Sequence, residues 1–501
     1  MRRNLRANPA EDVCSPWWTA KSTAGACAWV VFVAFAIRAI CLVDLPLLVT
    51  NDATGYLWWG QQLLRGESPQ WPPFRTPGYP AFLATLFWAA GPRPWPVLIA
   101  QHALGVISAG LVAALGSRFG GPRAGLVCGL LAAFDPTALM FESYALTESV
   151  SVSHFLIAAA VALLAPPRLP VAGGLGLVLA WLCLTRPAFQ IVVPFFAFAL
   201  AVRGGRCPRK ILACVLTTAA TLLVACTPWL ISNARRGIPG LSGSNGVYLW
   251  IGVTQAGLLD LDYPMPEPVR AAADRTLVPD PALDARLHRF LIQIDGWRER
   301  RPVLRDWALH SIAAAPARYL RAAVTAGLWQ LDIHPSAAAT QRSETAWLAA
   351  RLGRRGGGER PNFSTDMSLG DLGNFAMHGS RGPAAWFMRR FGTWQQPGLL
   401  RAPFFLACSA LVVWSLRRGR WDLALVFGSS LAYWAVHAAF LLYNSRYSLP
   451  CWELWLVSPA ALIGLRSGRV KAMWDRASGP ARGPVPPPVP AASGPGSPAA
   501  G

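Results

Sequence analysis

Carboxylates and arginines in the polar stretches between apolar runs are the residues of this sequence that could do chemistry. Asp52 follows the first long apolar run, and Glu148 follows a short polar turn further along the chain. A carboxylate can take a proton from a hydroxyl group as a general base. A guanidinium group binds phosphate or carboxylate oxygens through two parallel hydrogen bonds. The arginines in comparable polar stretches are Arg75, Arg186, Arg235 and Arg446.

The elements that must position these side chains are membrane helices. The chain of 501 residues is 53% hydrophobic and 14% charged, whereas soluble domains average roughly 25% charged residues. So few charges cannot coat a globular surface, and lipid must therefore cover much of the chain. A spanning helix needs about 20 mostly apolar residues. The segments that fit this length and composition are 24–43, 97–116, 124–141, 146–164, 169–186, 187–202, 211–231, 401–416, 422–443 and 449–465.

The basic residues predict the orientation of these helices. With the N-terminus inside, the short basic loops near Arg118, Arg168, 203–210 and Arg417 all face the cytoplasm, as the positive-inside rule requires. Both chain termini are then cytoplasmic, and the polar stretches that carry Asp52 lie outside the membrane. Because loop arginines explain much of the net charge of +21, a nucleic-acid partner is not predicted.

The same reading divides the chain into five parts. We expect a cytoplasmic N-terminus, a transmembrane module with a first external loop at 44–96, a large external region, C-terminal membrane helices and a disordered cytoplasmic tail. Their bounds are 1–23, 24–231, 232–400, 401–465 and 466–501. Within the external region, 316–335 is amphipathic and only weakly apolar. We expect it to be a helix on the outer membrane face, the alternative being a further span.

An ordered set of short motifs resembles a known family. An acidic residue and a tyrosine follow the first helix, and RTPGYP at 75–80 precedes the second. A Thr-Glu pair opens the fourth helix, PWLISNARRG at 228–237 ends the seventh, and RYSLP stands at 446–450. The set resembles bacterial relatives of dolichyl-phosphate-mannose protein mannosyltransferases and of aminoarabinose lipid A transferases. The resemblance implies an all-α polytopic membrane protein of the GT-C fold, with about ten transmembrane helices and a catalytic first external loop.

The resemblance also implies an activity. Such enzymes move a monosaccharide from a polyprenyl phosphate to an acceptor hydroxyl of a lipid, glycan or protein, with inversion, and they need no cofactor. We would expect this chain to work on the extracytoplasmic face of a bacterial cytoplasmic membrane, without a metal. One departure is Asn51-Asp52, where the mannosyltransferases commonly have an Asp-Glu pair.

The family's roles can be carried over residue by residue. Asp52 would be the catalytic base and Glu148 a supporting carboxylate. The residues expected to hold the donor phosphate are Arg75, Arg186, Arg235 and Arg446. The residues expected to contact the sugar or the acceptor are Tyr56, Tyr79, Glu142, Asn245 and Tyr447.

Plainer interpretations stand beside these roles. Asp52 could cap a helix that starts near Thr54, because aspartate is favoured at that position. RTPGYP could simply be a turn before a helix. Arg38 lies inside the first apolar run, where an unpaired charge is costly, and it could reach the outer face or pair with Asp44.

Two other functions would suit an integral membrane protein of this kind. A flippase or transporter for lipid-linked sugars would show inverted repeats and broken helices near the membrane centre, and the sequence shows neither. A glycan polymerase or ligase with a polyprenyl-diphosphate donor would also use external arginines, but it would not need the carboxylate after the first helix.

Overall fold

The computed structural model is all-helical in the part of the chain that it describes. It describes residues 16–44, 47, 51–67, 75–205, 207–238, 240–243, 245–276, 290–291, 293–294, 300–331, 397–441 and 449–466. The helices of the first half are α1 (Pro16–Asp44), α2 (Asn51–Leu64), α3 (Gly78–Ala90), α4 (Pro94–Gly120), α5 (Pro122–Ala133), α6 (Pro136–Ser143), α7 (Glu148–Leu164), α8 (Leu169–Thr185), α9 (Val193–Val202) and α10 (Pro208–Arg235). A 3-10 helix, Pro187–Val192, joins α8 to α9.

The second half first supplies helices that form a separate, smaller cluster, and the chain then returns to the bundle. The described helices of this cluster are α11 (Asn245–Gln255), α12 (Glu267–Thr276), α13 (Arg301–Ala314) and α14 (Pro316–Gln330). The last helices are α15 (Pro397–Arg417), α16 (Trp421–Ala439), α17 (Leu449–Trp455) and α18 (Ser458–Arg466). The predicted N-terminal segment before residue 16, the whole of 332–396 and the tail after 466 lie outside the described residues.

Three of the described helices are long and apolar enough to cross a membrane. They are Ser22–Val43 within α1, Pro94–Gly120 and Pro208–Arg235. Shorter apolar helices, among them α7 and α8, pack beside them in one large core. The prediction of an all-helical membrane protein is confirmed, and a described helix or helix pair coincides with each of the ten predicted segments. The exact number of spans stays a prediction.

The segment predicted as one helix over 124–141 is broken in the structure. It forms α5 and α6, which meet at an angle of 46°. Proline disfavours helical backbone in the residue before it and lacks the N–H of a helix interior. Asp135 therefore leaves the helix before Pro136, and its side chain accepts a hydrogen bond from the Thr137 amide at 2.8 Å, which starts the next helix.

Helices α11 to α14 form a second, smaller core. Its centre is Trp250, whose ring stacks on Phe290 at 5.1 Å and lies 5.9 Å from the ring of Trp307. Gly252 of α11 and Gly327 of α14 touch residues at the end of α16, where an added Cβ would collide with a neighbour. The small core therefore sits on the C-terminal end of a bundle helix, α16.

The helix predicted at 316–335 is present as α14. The Tyr319 hydroxyl donates to the carbonyl of Ala439 at 2.6 Å, which attaches one face of α14 to the end of α16. The opposite face exposes Leu320, Val324 and Leu328 at helical spacing. Whether this face lies on the membrane surface stays a prediction.

Candidate active site

Asp52 lies in the first turn of α2. The helix begins at Asn51, three residues before the predicted start near Thr54, so Asp52 is part of the helix and does not precede it as a cap. Negative charge is favoured in a first helical turn because the backbone N–H groups there point at it. The side chain of Asn51 lies outside the described residues.

Arg75 holds Asp52 and Tyr56 together. Its Nη2 donates to Asp52 Oδ1 at 2.6 Å, and its Nη1 donates to the Tyr56 hydroxyl oxygen at 2.5 Å. Asp52 and Tyr56 are four residues apart in α2 and therefore lie on the same helix face. The planar fork of one guanidinium spans both partners, which a lysine could not do.

Burial and charge keep this group in a defined protonation state. Burial raises the pKa of the Tyr56 hydroxyl above its ordinary value; the Arg75 guanidinium opposes the shift and the Asp52 carboxylate adds to it. For Arg75, burial acts to lower the pKa, but the oxygens of Tyr56 and Asp52 outweigh it and the pKa is raised. Tyr56 is therefore a neutral hydroxyl and Arg75 a cation throughout the physiological pH range.

The RTPGYP stretch places Arg75 against the end of α8. Thr76 donates to the carbonyl of Thr185 at 3.3 Å. A Cβ on Gly78 would lie 2.6 Å from backbone atoms of Leu184 and Thr185, so only glycine allows this contact. The glycine thus has a packing role, and the motif is more than a turn before α3.

Glu148 forms the second carboxylate–arginine pair. It is the first residue of α7, and Arg186 directly follows α8. Arg186 Nη2 lies 2.8 Å from Glu148 Oε1. Thr147 donates to the other carboxylate oxygen at 3.4 Å. Both Glu148 and Arg186 act electrostatically on Tyr56, so the two ion pairs share one site.

The two carboxylates of this site differ in access. The Asp52 side chain is 38% exposed, whereas that of Glu148 is 2% exposed. The Asp52 carboxylate is therefore accessible from outside the protein, whereas the Glu148 carboxylate is enclosed and paired with Arg186.

Glu142 is bonded in a different cluster. Its carboxylate accepts from Arg38 Nη2 at 2.7 Å and lies 2.8 Å from His102 Nδ1, and all three residues are buried. Arg38 therefore pairs with Glu142 inside the bundle, and the expectation that it reaches the outer face is wrong. The side chain of Asp44 lies outside the described residues. An added Cβ at Gly105 would collide with Arg38 and Glu142, so this glycine makes room for the pair. The described contacts of the Glu142 side chain are structural, and its predicted acceptor contact stays a prediction.

The PWLISNARRG stretch forms the end of α10. The buried Asn233 amide donates to the carbonyls of Gly240 and Leu241 at 2.8 and 3.0 Å, and Trp229 donates to Leu241 at 2.9 Å. These hydrogen bonds hold the loop after α10 against the end of that helix. Arg235 is exposed at the last residue of α10, and its contact with a donor phosphate stays a prediction.

The side chains of three predicted site residues are not among the described residues. Asn245 begins α11, but its side chain lies outside them, and Arg446 and Tyr447 lie outside them as whole residues. Tyr79 is fully buried, and its hydroxyl donates to Gln101 Oε1 at 2.8 Å. A sugar contact for Tyr79 stays a prediction.

Two further residues reach the site without having been predicted. Gln101 of α4 binds Tyr79, and Tyr248 of α11 lies close enough to Arg75 to raise its pKa. A glutamine in an apolar run was a visible signal for Gln101, since polar side chains inside membrane helices are costly unless bonded. Nothing in the local sequence marks Tyr248.

Within the described ranges, no group of three or more His, Cys, Asp or Glu side chains could hold a metal ion. The expectation that the chain works without a metal stays a prediction.

Comparisons with known proteins find similarity only among solved structures. No protein-family model matches the chain, and no curated protein matches its sequence. The chain is similar to the oligosaccharyltransferase of Archaeoglobus fulgidus in its apo form, with 14% identity and a TM-score of 0.44 over 92% of this chain and 52% of that chain. It is similar to ArnT from Cupriavidus metallidurans bound to undecaprenyl phosphate, with 14% identity and a TM-score of 0.35 over 89% of this chain and 80% of that chain.

A third similar structure is the archaeal oligosaccharyltransferase AglB from Archaeoglobus fulgidus in complex with an inhibitory peptide and a dolichol-phosphate. The identity is 14% and the TM-score 0.39, over 90% of this chain and 52% of that chain. The chain thus spans about half the length of the archaeal structures. All three are GT-C fold glycosyltransferases, the fold class that the sequence resemblance implies. Every TM-score is below 0.5, so the function of this chain has to be inferred from the side chains of its site.

Proposed function

We propose that the chain is a membrane glycosyltransferase that moves a monosaccharide from a polyprenyl phosphate to an acceptor hydroxyl, with inversion. The observation that carries the proposal is the half-exposed Asp52 carboxylate, which Arg75 and Tyr56 hold beside the buried pair of Glu148 and Arg186. The site thus combines an accessible base with two guanidinium groups. A base for the acceptor proton and cations for the departing phosphate both lower the barrier to transfer from a phosphate donor.

The transfer step balances with these groups. The acceptor oxygen attacks the anomeric carbon, and the bond from that carbon to the phosphate oxygen breaks. The electron pair of the broken bond leaves with the polyprenyl phosphate, whose charge Arg75 and Arg186 stabilise. Asp52 takes the acceptor proton as the new bond forms, because the hydroxyl becomes acidic only then. The neutral Tyr56 hydroxyl can donate a hydrogen bond to a substrate oxygen.

The remaining assignments complete the proposal. Arg235 and Arg446 would bind the donor phosphate further out, and Asn245 and Tyr447 would contact the sugar or the acceptor. The acceptor is a lipid, a glycan or a protein. The site would face the outside of a bacterial cytoplasmic membrane, since the short basic loops of the chain would otherwise lie on the wrong side.

The test is transfer by the purified full-length protein in liposomes. Wild type, Asp52→Asn and Glu67→Gln are supplied with a panel of polyprenyl-phosphate sugars, and release of polyprenyl phosphate is measured. Glu67 is the control because it is an exposed carboxylate shortly after the end of α2, the helix that carries Asp52. We expect Asp52→Asn to lower kcat by about 10²–10⁴-fold and Glu67→Gln to keep the wild-type rate.

A companion measurement identifies the product in cells. Mass spectrometry of glycolipids and glycans compares a deletion strain with strains complemented by wild type or Asp52→Asn. A deletion that alters no glycan would refute the transferase assignment. Full restoration by Asp52→Asn would instead favour a diphosphate-dependent polymerase or ligase, which needs no carboxylate after the first helix.

A further inference from the structure

Gln101 of α4 is fully buried, and its side-chain amide is bonded at both ends. Its Oε1 accepts from the Tyr79 hydroxyl at 2.8 Å. Its Nε2 donates to the carbonyls of Glu142 and Tyr144, both at 2.8 Å. A primary amide has two N–H donors, and here both are used. A single side chain therefore joins α3 to the end of α6.

The two carbonyls that Gln101 binds belong to the turn that leads to Glu148. Helix α6 ends at Ser143, and α7 begins at Glu148 only five residues later. The last carbonyls of a helix have no partner within the helix, so an outside donor fixes where the chain goes next. By holding the carbonyls of residues 142 and 144, Gln101 sets the position from which Glu148 starts.

The other end of Gln101 leads to Asp52. The Tyr79 ring meets the Tyr56 ring edge to face, with ring centroids 5.1 Å apart. The Tyr56 hydroxyl and Asp52 are then joined through the fork of Arg75. The chain of contacts from Gln101 thus reaches the accessible carboxylate on one side and the turn of the buried carboxylate on the other.

His102, the next residue of α4, also binds Glu142, but through its side chain. His102 Nδ1 lies 2.8 Å from the carboxylate of Glu142, whereas Gln101 binds the backbone carbonyl of that residue. The Glu142 side chain is also fixed by Arg38. The end of α6 is therefore anchored independently of Gln101, so replacing Gln101 should loosen the turn at 144–148 without releasing α6 itself.

We propose that Gln101 is a positioning residue of the transfer site, which keeps the Glu148 turn and the Tyr79 helix in one geometry. This deepens the proposed function and rests on it. The plain alternative is a buried glutamine that only satisfies helix-end carbonyls. The two interpretations differ in one respect. Replacing a positioning residue lowers the rate of sugar transfer through Glu148, whereas replacing a purely structural residue lowers only the stability of the protein.

The first experiment needs no substrate. Hydrogen–deuterium exchange is measured on the full-length protein in lipid nanodiscs, for wild type, Gln101→Leu, Tyr79→Phe and Gln330→Leu. Gln330 is the matched control, since it is also a fully buried helical glutamine but lies in α14. We expect faster exchange in the segment 142–148 for Gln101→Leu and wild-type exchange there for Gln330→Leu. Unchanged exchange in Gln101→Leu would overturn the proposal.

The second experiment is a double-mutant cycle on transfer kinetics. Misplacement of a catalytic group by about 1 Å can cost roughly 10²-fold in rate, so we expect Gln101→Leu to lower kcat by about that factor with little change in KM. Tyr79→Phe keeps the ring and loses one hydrogen bond, and should cost about tenfold. It also serves as the test should Gln101→Leu fail to fold.

The cycle separates positioning from stability. If Gln101 acts through Glu148, then Gln101→Leu combined with Glu148→Gln is no slower than Glu148→Gln alone. The proposal would be overturned if the double variant lowered kcat by the product of the two single factors. It would also be overturned if Gln101→Leu exchanged faster but kept the wild-type kcat. Absence of transfer by wild type on every donor would refute the proposed function itself, and the exchange result would then still decide whether Gln101 holds the turn.

Discussion

At the scale of single residues, the site depends on which oxygen each guanidinium reaches. Arg75 has one nitrogen on Asp52 and another on Tyr56, and Arg186 has one on Glu148. These pairs neutralise each other. In the proposed mechanism, a donor phosphate would share the arginines with the carboxylates and so release Asp52 to accept a proton.

Arg75→Lys should lower transfer because an ammonium group cannot span the two partners of the fork. Loss of a hydrogen bond to a charged group costs about 1.5–3 kcal/mol, so we expect kcat/KM to fall by roughly 10- to 150-fold. Arg65→Lys is the control, because Arg65 is exposed in the same external loop. Wild-type kcat/KM in Arg75→Lys would show that only the charge of Arg75 matters.

At the scale of elements, the site depends on how closely α3 approaches the end of α8. Gly78 makes that approach possible, and Arg75 stands three residues before it. A displacement of the start of α3 therefore moves the guanidinium that organises Asp52 and Tyr56. The sequence showed the glycine and its prolines, but their partner is 106 residues further along the chain and has no local signal.

Gly78→Ala should push α3 away from Leu184 and Thr185. Overpacking of a tight contact costs about 1–3 kcal/mol, so we expect a lower unfolding midpoint together with a loss of transfer. Gly174→Ala is the matched control in α8, since an added Cβ there meets nothing within 4 Å and alanine is the better helix former. Equal unfolding midpoints for Gly78→Ala and Gly174→Ala would contradict the close contact between α3 and the end of α8.

Asn233→Ala should loosen the loop after α10. The substitution removes a buried amide and leaves the carbonyls of Gly240 and Leu241 without that donor, which costs about 1–3 kcal/mol. Ser232→Ala, the neighbouring substitution, should leave stability close to wild type. Thermal unfolding in nanodiscs measures both, and an unchanged midpoint for Asn233→Ala would mean that Trp229 alone holds the loop.

At the scale of the whole molecule, the small core lies close to the ion pair of Arg75 and Asp52. Helix α11, which brings Tyr248 towards Arg75, belongs to that core and packs on the end of α16. The small core therefore contributes to the environment of Arg75. In the proposed function, the acceptor would bind between the bundle and this core.

The orientation of the molecule can be tested with a native cysteine. Cys207 is exposed just before α10, in a loop that the positive-inside rule places in the cytoplasm. A membrane-impermeant maleimide should leave Cys207 unmodified in intact cells and modify it after permeabilisation. A Cys207→Ser variant confirms the assigned peptide by mass spectrometry. Modification in intact cells would invert the orientation.

The sequence by itself determined the class of the protein. Apolar runs of membrane length follow from local composition, because lipid requires every spanning segment to be apolar along its own length. The tertiary structure alone decided the partners of the charges. Glu142 and Glu148 are six residues apart, but α6 ends between them, so one carboxylate joins Arg38 inside the bundle and the other joins Arg186 beside Asp52. Such pairings depend on helix packing over long separations in sequence, which no local pattern records.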